Sequence, residues 1–343
     1  MSAPSGLVTP GAAMIRTHLV TGVAGQDGVL LARHLLRRGE RVVGTVRDLR
    51  DQRSMACYLD GVEVVEHDVR DADGFAVLLD RYRPVAVHNL AAMSSVGASW
   101  DDVETTRSVN EVAVTDMVAV LAARGPDAPA FVQASSSEIF GPVATGTTVD
   151  ESAQLHPVSP YAEAKAAAHR TAAAAREAGL RATNLVMFGH TSPIHAPTFV
   201  LPRIARCAAE VALGRREVVE LQDPTVRRDW GAAADYVEAF ALAVDAPAGD
   251  FVIGTGEVHA LRDVVDWALA AAGVPGTPLV ATGEARPHDF GGVAADPAHA
   301  AAVLGWRPRT PLRRVVEQMV VADLARLGSG REQDVAYLGE EGP

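Results

Sequence analysis

Thr17-His-Leu-Val-Thr21, followed directly by Gly22-Val-Ala-Gly25-Gln-Asp-Gly28, is the stretch of sequence that decides the fold. The first part predicts a short buried strand, and an amphipathic helix to about Arg38 is predicted after the glycines. Glycine at this spacing allows a tight turn and lets backbone amides approach a pyrophosphate at the helix N-terminus. A glycine triplet alone also fits a merely tight loop. Its place between strand and helix favours dinucleotide binding by Gly22, Gly25, Gln26, Asp27 and Gly28.

Alternating strands and helices continue beyond this loop. The pattern predicts strands at 41–46, 62–66, 85–90, 130–135 and 182–186, with helices near 74–81, 104–124 and 160–178. Such alternation implies parallel crossovers, and hence an α/β fold with a Rossmann-type doubly wound parallel sheet. Ligands in these folds lie beyond the carboxyl ends of the strands, so the residues that follow Val20, Val46, Leu90 and Ala134 are expected to share one crevice.

The chain is expected to form one body with a smaller C-terminal substrate-binding lobe, since no Pro/Gly/Ser-rich stretch divides its 343 residues. Residues 1–14 are predicted to be a flexible tail and 15–187 a dinucleotide-binding domain, to which later segments return. Residues 188–330, with a helix near 202–213, are predicted to form mainly the substrate lobe. Residues 331–343 are predicted to be an acidic C-terminal tail.

Composition narrows the classes of function. With 48% hydrophobic residues, a mean hydropathy of +0.09 and no apolar run of about 18 residues, the chain is expected to be soluble, without a membrane partner. The N-terminal residues lack the basic start and apolar stretch of a signal peptide, and two cysteines are too few for a disulfide framework or zinc cage. A reducing cytoplasm and no metal are therefore predicted. A net charge of −12 with scattered arginine argues against nucleic acid.

Lys165 is the only lysine among 31 basic residues, so its task is predicted to be one that arginine performs badly. Ser159-Pro160 predicts a helix start, which places Tyr161 and Lys165 four apart on one helix face. An ammonium beside a phenol stabilises the phenolate, and a compact point charge suits that role better than a guanidinium. The alternative is an incidental exposed pair. The single lysine, downstream of a glycine loop, favours a catalytic pair.

The residues after the second strand bear on the cofactor. NAD-preferring folds place a carboxylate there, whereas here Val46 is followed by Arg47, Asp48 and Arg50. Arginine can fork onto a 2′-phosphate, so NADP is favoured over NAD, although a solvated loop is the alternative. Asp68 and Val69, after the third strand, would suit the adenine edge. Leu90, Ala91 and Ala92, after the fourth, are small enough to let the cofactor pass.

The fifth predicted strand ends in Gln133-Ala-Ser-Ser136-Ser-Glu138-Ile-Phe140-Gly141. The Ser136 hydroxyl could hold a sugar oxygen beside Tyr161, and the Glu138 carboxylate could act as acid or base. Serines that only cap a turn are the alternative.

With these motifs in place, the chain resembles the extended short-chain dehydrogenase/reductases, and within them it is most similar to GDP-mannose 4,6-dehydratases. The resemblance runs from about Leu19 to Pro311. It rests on the glycine loop with its Gln-Asp pair and on five further blocks, at 89–92, 133–138, 159–165, 228–231 and 304–308. The Gln-Asp pair and Arg228-Asp-Trp-Gly231 point to this subgroup more narrowly than Tyr161 and Lys165 do.

The resemblance implies a mechanism and a nucleotide-sugar substrate. Tyr161 would remove the C4 hydroxyl proton while hydride leaves C4 for the nicotinamide, and Ser136 would hold that oxygen. Glu138 would then abstract the acidified C5 proton and assist loss of the C6 hydroxyl as water, and the hydride would return to C6. The product is a 4-keto-6-deoxy sugar nucleotide, with NADP regenerated.

By the same resemblance, Arg228 and Arg286 are expected to reach the substrate diphosphate, although Arg228 could instead pack beside Trp230. The other substrate contacts implied are Ser94, Gly189, Thr198, Phe199 and Arg203. A 4-reductase or epimerase shares the loop, the tyrosine and the lysine, and remains an alternative. A non-catalytic dinucleotide sensor would tolerate loss of the proton-transfer residues, which are retained here.

This chain departs from the family pattern at positions that bear on the expected number of subunits and on the identity of the sugar. The family usually has Asn-His-Glu-Ser-Pro-Arg-Arg-Gly where this chain has Gly189-His-Thr-Ser-Pro-Ile-His-Ala196. The arginine pair supports a tetramer in the family, so a homodimer is expected here, with a tetramer as the alternative. Ser136 replaces a threonine and Phe140 a tyrosine, which leaves room for a GDP-hexose or heptose other than mannose.

Overall fold

A parallel β-sheet forms the centre of the molecule. The computed structural model describes residues 15–144, 146–283 and 292–339. The strands of these residues are β1 (Thr17–Thr21), β2 (Arg41–Val46), β3 (Glu63–Glu66), β4 (Ala86–Asn89), β5 (Ala130–Ser136), β6 (Thr148–Val149), β7 (Ala182–Met187), β8 (Gly189–Thr191), β9 (Val219–Leu221), β10 (Arg227–Ala232), β11 (Asp250–Ile253), β12 (Val258–Ala260), β13 (Leu279–Ala281) and β14 (Ala294–Ala295).

Seven of these strands make the main sheet, in the order β11-β7-β5-β4-β1-β2-β3, and every neighbouring pair is parallel. The strand order reverses between β1 and β4, and this is the point at which doubly wound sheets bind their ligands. The predicted Rossmann-type architecture is therefore confirmed.

The helices of the described residues either pack on the two faces of the sheet or form a separate layer away from it. They are α1 (Gln26–Arg37), α2 (Leu49–Gln52), α3 (Ala72–Tyr82), α4 (Val103–Arg107), α5 (Ala113–Ala122), α6 (Pro160–Glu177), α7 (Val200–Ala212), α8 (Ala233–Ala243), α9 (Leu261–Ala271), α10 (Ala298–Val303) and α11 (Leu312–Ser329). A π-helical turn at Ser108–Val112 joins α4 to α5, so the predicted helix near 104–124 is one nearly continuous rod.

Three apolar clusters hold these layers together. One covers the sheet face under α1 and α8, and a second covers the opposite face under α3, α5 and α6. The third cluster lies away from the sheet and is built from α7, α9 and α11 with β9 and β10. This third cluster forms a separate core for residues of the predicted substrate lobe.

The predicted C-terminal tail folds back onto the rest of the chain over its described part. A 3₁₀ turn at Val335–Leu338 buries Tyr337 and Leu338, and the ring of Tyr337 stacks on Arg326 of α11. Gln333 Oε1 accepts a 2.8 Å hydrogen bond from the Tyr58 hydroxyl, in the segment after β2.

A buried histidine pair lies inside the main sheet. His18 on β1 and His88 on β4 are almost fully buried. His18 Nδ1 lies 2.9 Å from His88 Nε2, so one ring donates a hydrogen bond to the other. Burial lowers the pKa of both imidazoles below the ordinary 6.5, because a charged ring there loses its hydration.

This pair predicts an acid-sensitive fold. Its contribution to stability is complete above pH 6.5, where the rings are neutral in both states, and is lost as the pH falls toward the folded-state pKa values. Between about pH 7 and pH 5 we expect the free energy of unfolding to fall by about 3–4 kcal/mol because of this pair. Urea titrations across this range measure the slope. A His18→Leu/His88→Leu double variant should show a shallower slope; an unchanged slope would assign the acid sensitivity to other groups.

Candidate active site

The carboxyl ends of β1, β4 and β5 are tied together by side chains. Thr21 Oγ1 donates to Asn89 Oδ1 at 2.7 Å, and Asn89 Nδ2 donates to Gln133 Oε1 at 2.8 Å. The Thr21 hydroxyl also accepts from the backbone amides of Leu90 and Ala91. These bonds fix the edge of a cavity of about 1650 Å³, which the glycine loop, the ends of β4, β5 and β7 and the start of α6 line.

The glycine loop is shaped to bring backbone close to a ligand. Gly22 has φ +69°, and a Cβ there would lie 2.9 Å from Ala91 Cα. A Cβ on Gly28 would lie only 2.4 Å from the Gly22 carbonyl oxygen and 2.6 Å from Val23 Cα. The loop opens directly into the N-terminus of α1. This backbone cradle at a helix N-terminus fits the pyrophosphate of a dinucleotide.

Gln26 and Asp27, which lie between Gly25 and Gly28, are bound to the segment after β7. Asp27 Oδ2 lies 2.9 Å from His190 Nε2, His190 Nδ1 lies 2.7 Å from the Phe188 carbonyl oxygen, and Ser192 Oγ donates to Gln26 Oε1 at 2.8 Å. Burial lowers the pKa of His190, but Asp27 and the Phe188 carbonyl outweigh burial, so the pKa is raised. A cationic His190 can donate through both nitrogens. We call these contacts the Asp27–His190 clamp. They were not predicted from the sequence, in which the Gln-Asp pair of the glycine loop was their only signal.

Tyr161 and Lys165 lie on the first turns of α6, where the sequence predicted them. The Ser159 hydroxyl caps the helix by accepting from the Ala162 amide, and Pro160 occupies its first turn. Both side chains are buried and line the cavity. Lys165 Nζ donates to the Ala134 carbonyl oxygen at 3.0 Å and lies 5.9 Å from the centre of the Tyr161 ring.

The ionisation of this pair is set mainly by burial. Burial raises the pKa of Tyr161 to about 12, against a hydrogen bond with Ser136 that lowers it, while the negative charges of Glu138 and Asp27 raise it further. Burial lowers the pKa of Lys165 to about 8, and Asp27 opposes that change. Burial therefore opposes ionisation of the phenol, and positive charge near its oxygen favours ionisation.

Ser136 and Glu138 lie beside Tyr161 at the end of β5. Ser136 Oγ accepts from the Glu138 amide at 3.3 Å and so caps the 3₁₀ turn Ser137–Phe140. The capping role considered as the alternative for these serines is thus present, together with the hydrogen bond between Ser136 and Tyr161. The Glu138 carboxylate accepts a 2.8 Å hydrogen bond from Arg228 Nη1. The structure therefore brings together the four predicted catalytic side chains, and the Arg228 side chain lies beside them.

Asp229 anchors the Arg-Asp-Trp-Gly block on β10. Its buried carboxylate accepts four hydrogen bonds, from the Thr255 amide and hydroxyl and from the amides of Gly256 and Ala295. Asp229 thereby fixes the backbone next to Arg228. No role for Asp229 was predicted from the sequence.

The remaining predicted site residues fall into three groups. Those that line the cavity are Ala92, Ser94, Gly189, Thr198, Phe199 and Arg203, together with Leu90 and Ala91. Arg286 lies outside the described residues. Among the described residues, Arg47, Arg50, Asp68 and Val69 do not line this cavity. Arg50 Nε donates to Asp48 at 2.9 Å, and Arg70 Nε donates to Asp68 at 3.0 Å, which lowers the pKa of both carboxyls to about 2.

The sequence model of the family described as GDP-mannose 4,6 dehydratase matches residues 19–319. The chain belongs to this family. GDP-mannose 4,6 dehydratase 1 of Arabidopsis thaliana is 33% identical over 323 residues, which cover 89% of each chain. GDP-mannose 4,6-dehydratase of Sinorhizobium fredii is 32% identical, over 92% of this chain and 98% of its own.

Solved structures of related sugar-nucleotide enzymes share the fold of this GDP-mannose 4,6-dehydratase family member. A UDP-glucose 4-epimerase of Thermus thermophilus in complex with NAD superposes with a TM-score of 0.78 and 28% identity, covering 90% of this chain and 99% of its own. The dehydratase and epimerase share one architecture, so the chemistry has to be argued from the side chains.

Two further features of the described residues concern partners. Across 15–144, 146–283 and 292–339, no group of three or more His, Cys, Asp or Glu side chains is placed to hold a metal ion. In the same part of the chain, no helix combines the length and apolar character needed to span a bilayer.

Proposed function

We propose that this protein is an NADP-dependent 4,6-dehydratase that converts GDP-mannose, or a related GDP-hexose or heptose, into its 4-keto-6-deoxy derivative. The observation that carries the proposal is the convergence of Ser136, Glu138, Tyr161 and Lys165 on one cavity in a chain of the dehydratase family. The named activity of its 32–33% identical relatives supports GDP-mannose as the substrate to test first.

The first step removes a proton from the C4 hydroxyl and a hydride from C4. Tyr161 accepts the hydroxyl proton, and Ser136, which hydrogen-bonds that phenol, orients the sugar oxygen beside it. When bound, NADP would supply the cationic ring that accepts the hydride from C4 and returns it to C6. Positive charge at this end of the cavity favours the phenolate, and Lys165 adds to it from beneath the ring.

The second step eliminates water across C5 and C6. Oxidation at C4 makes the C5 proton acidic, and the Glu138 carboxylate accepts it. The same carboxyl then delivers a proton to the C6 hydroxyl, which leaves as water. Hydride return to C6 and delivery to C5 of a proton that Glu138 takes up from solvent would complete the reaction, so that one water is lost and the cofactor would end as it began.

The choice of NADP rests on the loop after β2. Arg50 and Arg70 bind Asp48 and Asp68 and so lower the pKa of these carboxyls, and the charge of Arg47 lowers both further. Arg50 would have to exchange Asp48 for a 2′-phosphate. Arg47 and Arg50 are the candidates for phosphate recognition, because a guanidinium can fork onto a phosphate.

We also propose a cytoplasmic homodimer. Trp100, which precedes α4, and Val103 and Val112 of the α4–α5 rod are 51%, 50% and 44% exposed, and a second copy would cover them. Light scattering should then give twice the 36.0 kDa chain mass, and a monomer or tetramer would count against a dimer.

The activity is tested with purified protein, NADP and GDP-mannose in deuterated water. A 4-keto-6-deoxy product with deuterium at C5 and no stoichiometric NADPH formation is expected, because the original C5 proton leaves with the water and solvent supplies its replacement. A Glu138→Gln variant should lose this product. Consumption of one NADPH per sugar would reveal a reductase instead, and inversion at C4 with the C6 hydroxyl retained would reveal an epimerase.

A further inference from the structure

Arg228 and Glu138 have different predicted tasks, yet they bind each other. The family resemblance implies that Arg228 contacts the substrate diphosphate, and the proposed function assigns Glu138 to the C5 proton. In the structure Arg228 Nη1 donates to Glu138 Oε1 at 2.8 Å, across 90 residues of sequence. One guanidinium therefore faces two anionic partners, one already present and one carried by the substrate.

The backbones on both sides of this ion pair are fixed. Four hydrogen bonds to Asp229 hold β10 directly beside Arg228. On the other side, the Ser136 hydroxyl caps the turn that carries Glu138, whose carbonyl also accepts from the Gly141 amide. The pair can therefore open by rotation of the two side chains, without movement of either backbone.

The ion pair is placed so that a ligand can replace it. The two side chains are 33% and 24% exposed, and both line the cavity that also holds Tyr161. Partly solvated ion pairs contribute little stability, whereas a diphosphate offers forked acceptors with more negative charge than a carboxylate. A sugar nucleotide is thus a stronger partner for Arg228 than Glu138 is.

We propose that Arg228 holds Glu138 in the substrate-free enzyme and exchanges it for the substrate diphosphate, so that the base is released only after the phosphates are bound. This inference rests on the proposed function. While the pair is closed, a guanidinium occupies the Glu138 oxygen that it contacts. Once it is open, both oxygens of the carboxylate are available to the C5 proton.

The exchange makes diphosphate binding and Glu138 competitors for one cation. Removing the charge of Glu138 should therefore strengthen diphosphate binding, although Glu138 is itself assigned to catalysis and not to the phosphates. This opposite sign separates exchange from a merely structural contact, which would weaken binding when lost.

A double-mutant cycle measures the competition. Dissociation constants for GDP are determined by calorimetry on NADP-loaded wild type, Glu138→Gln, Arg228→Ala and the double variant. We expect Glu138→Gln to bind GDP about fivefold more tightly, equivalent to about 1 kcal/mol, and Arg228→Ala to bind it about tenfold more weakly. In the Arg228→Ala background, Glu138→Gln should change the affinity less than twofold.

The control removes a similar ion pair far from the cavity. Arg124 Nη1 donates to Asp80 at 2.7 Å on the surface, so Asp80→Asn should leave GDP affinity unchanged. Circular dichroism melting verifies that each variant is folded. Glu138→Gln binding GDP as wild type does, or more weakly, would overturn the exchange, and so would an equal gain with and without Arg228. Wild-type turnover of GDP-mannose is assayed separately, so a flat cycle in an active dehydratase refutes only this inference.

Discussion

Lys165→Arg should reduce turnover of GDP-mannose at least about 100-fold while the protein stays folded. Lys165 is 4% exposed, and its Nζ reaches the Ala134 carbonyl beneath the Tyr161 ring. A planar guanidinium at this depth is larger than the ammonium and cannot present the same point charge. Since the lysine is buried with a lowered pKa, arginine would also bring in a charge that burial cannot neutralise.

Steady-state kinetics with saturating NADP measure the loss. Arg170→Lys, an exposed exchange of the same two residue types on the same helix, is the matched control and should leave turnover unchanged. Near-normal turnover of Lys165→Arg would refute the role given to the only lysine of the chain.

Gly28→Ala should abolish measurable NADP binding at micromolar cofactor. The new Cβ would meet the Gly22 carbonyl oxygen at 2.4 Å and Val23 Cα at 2.6 Å, and both are backbone atoms that cannot rotate away. Either the loop or the start of α1 must shift, and the amide cradle at the helix N-terminus is then lost. Some loss of stability is expected as well, because Val23 lies in the core.

Fluorescence titration with NADPH measures the affinity, and thermal melting measures the stability. Gly328→Ala is the matched control, since the added Cβ meets nothing within 4 Å and alanine favours the helical conformation of α11. Unchanged NADPH binding by Gly28→Ala would show that the pyrophosphate is bound elsewhere.

Much of the sheet could be predicted because buried parallel strands leave a strong local signal. The prediction for β2 at 41–46 agrees with the structure at both ends, and the strands ending at Glu66 and Met187 differ by one residue at one end. The seventh strand, β11, was not identified individually. Its place in the sheet is set by its pairing with β7, which is a tertiary contact that the local sequence does not show.

The site was predictable where a residue type implies its chemistry and a motif fixes its position. Tyr161 and Lys165 are of this kind, because a helix start and a spacing of four define their geometry. Contacts between distant segments were not predictable. The Asp27–His190 clamp joins residues 163 apart, and no local pattern of either segment specifies the other.

The burial of this pair was not predictable from the sequence. The spacing indicated an ammonium that stabilises the phenolate, and the structure in addition buries both groups, which raises the pKa of Tyr161 to about 12 and lowers that of Lys165 to about 8. Burial depends on packing from many segments, so residue spacing could not reveal it.

The central claim is that the hydride taken from C4 of a hexose is returned to C6 of the same molecule. GDP-mannose carrying deuterium at C4 tests it most directly, with the product analysed by NMR after complete turnover with catalytic NADP. The account predicts one deuterium at C6 of the 4-keto-6-deoxy product. A product without deuterium at C6, or deuterium recovered in a stoichiometric pool of reduced cofactor, would contradict it.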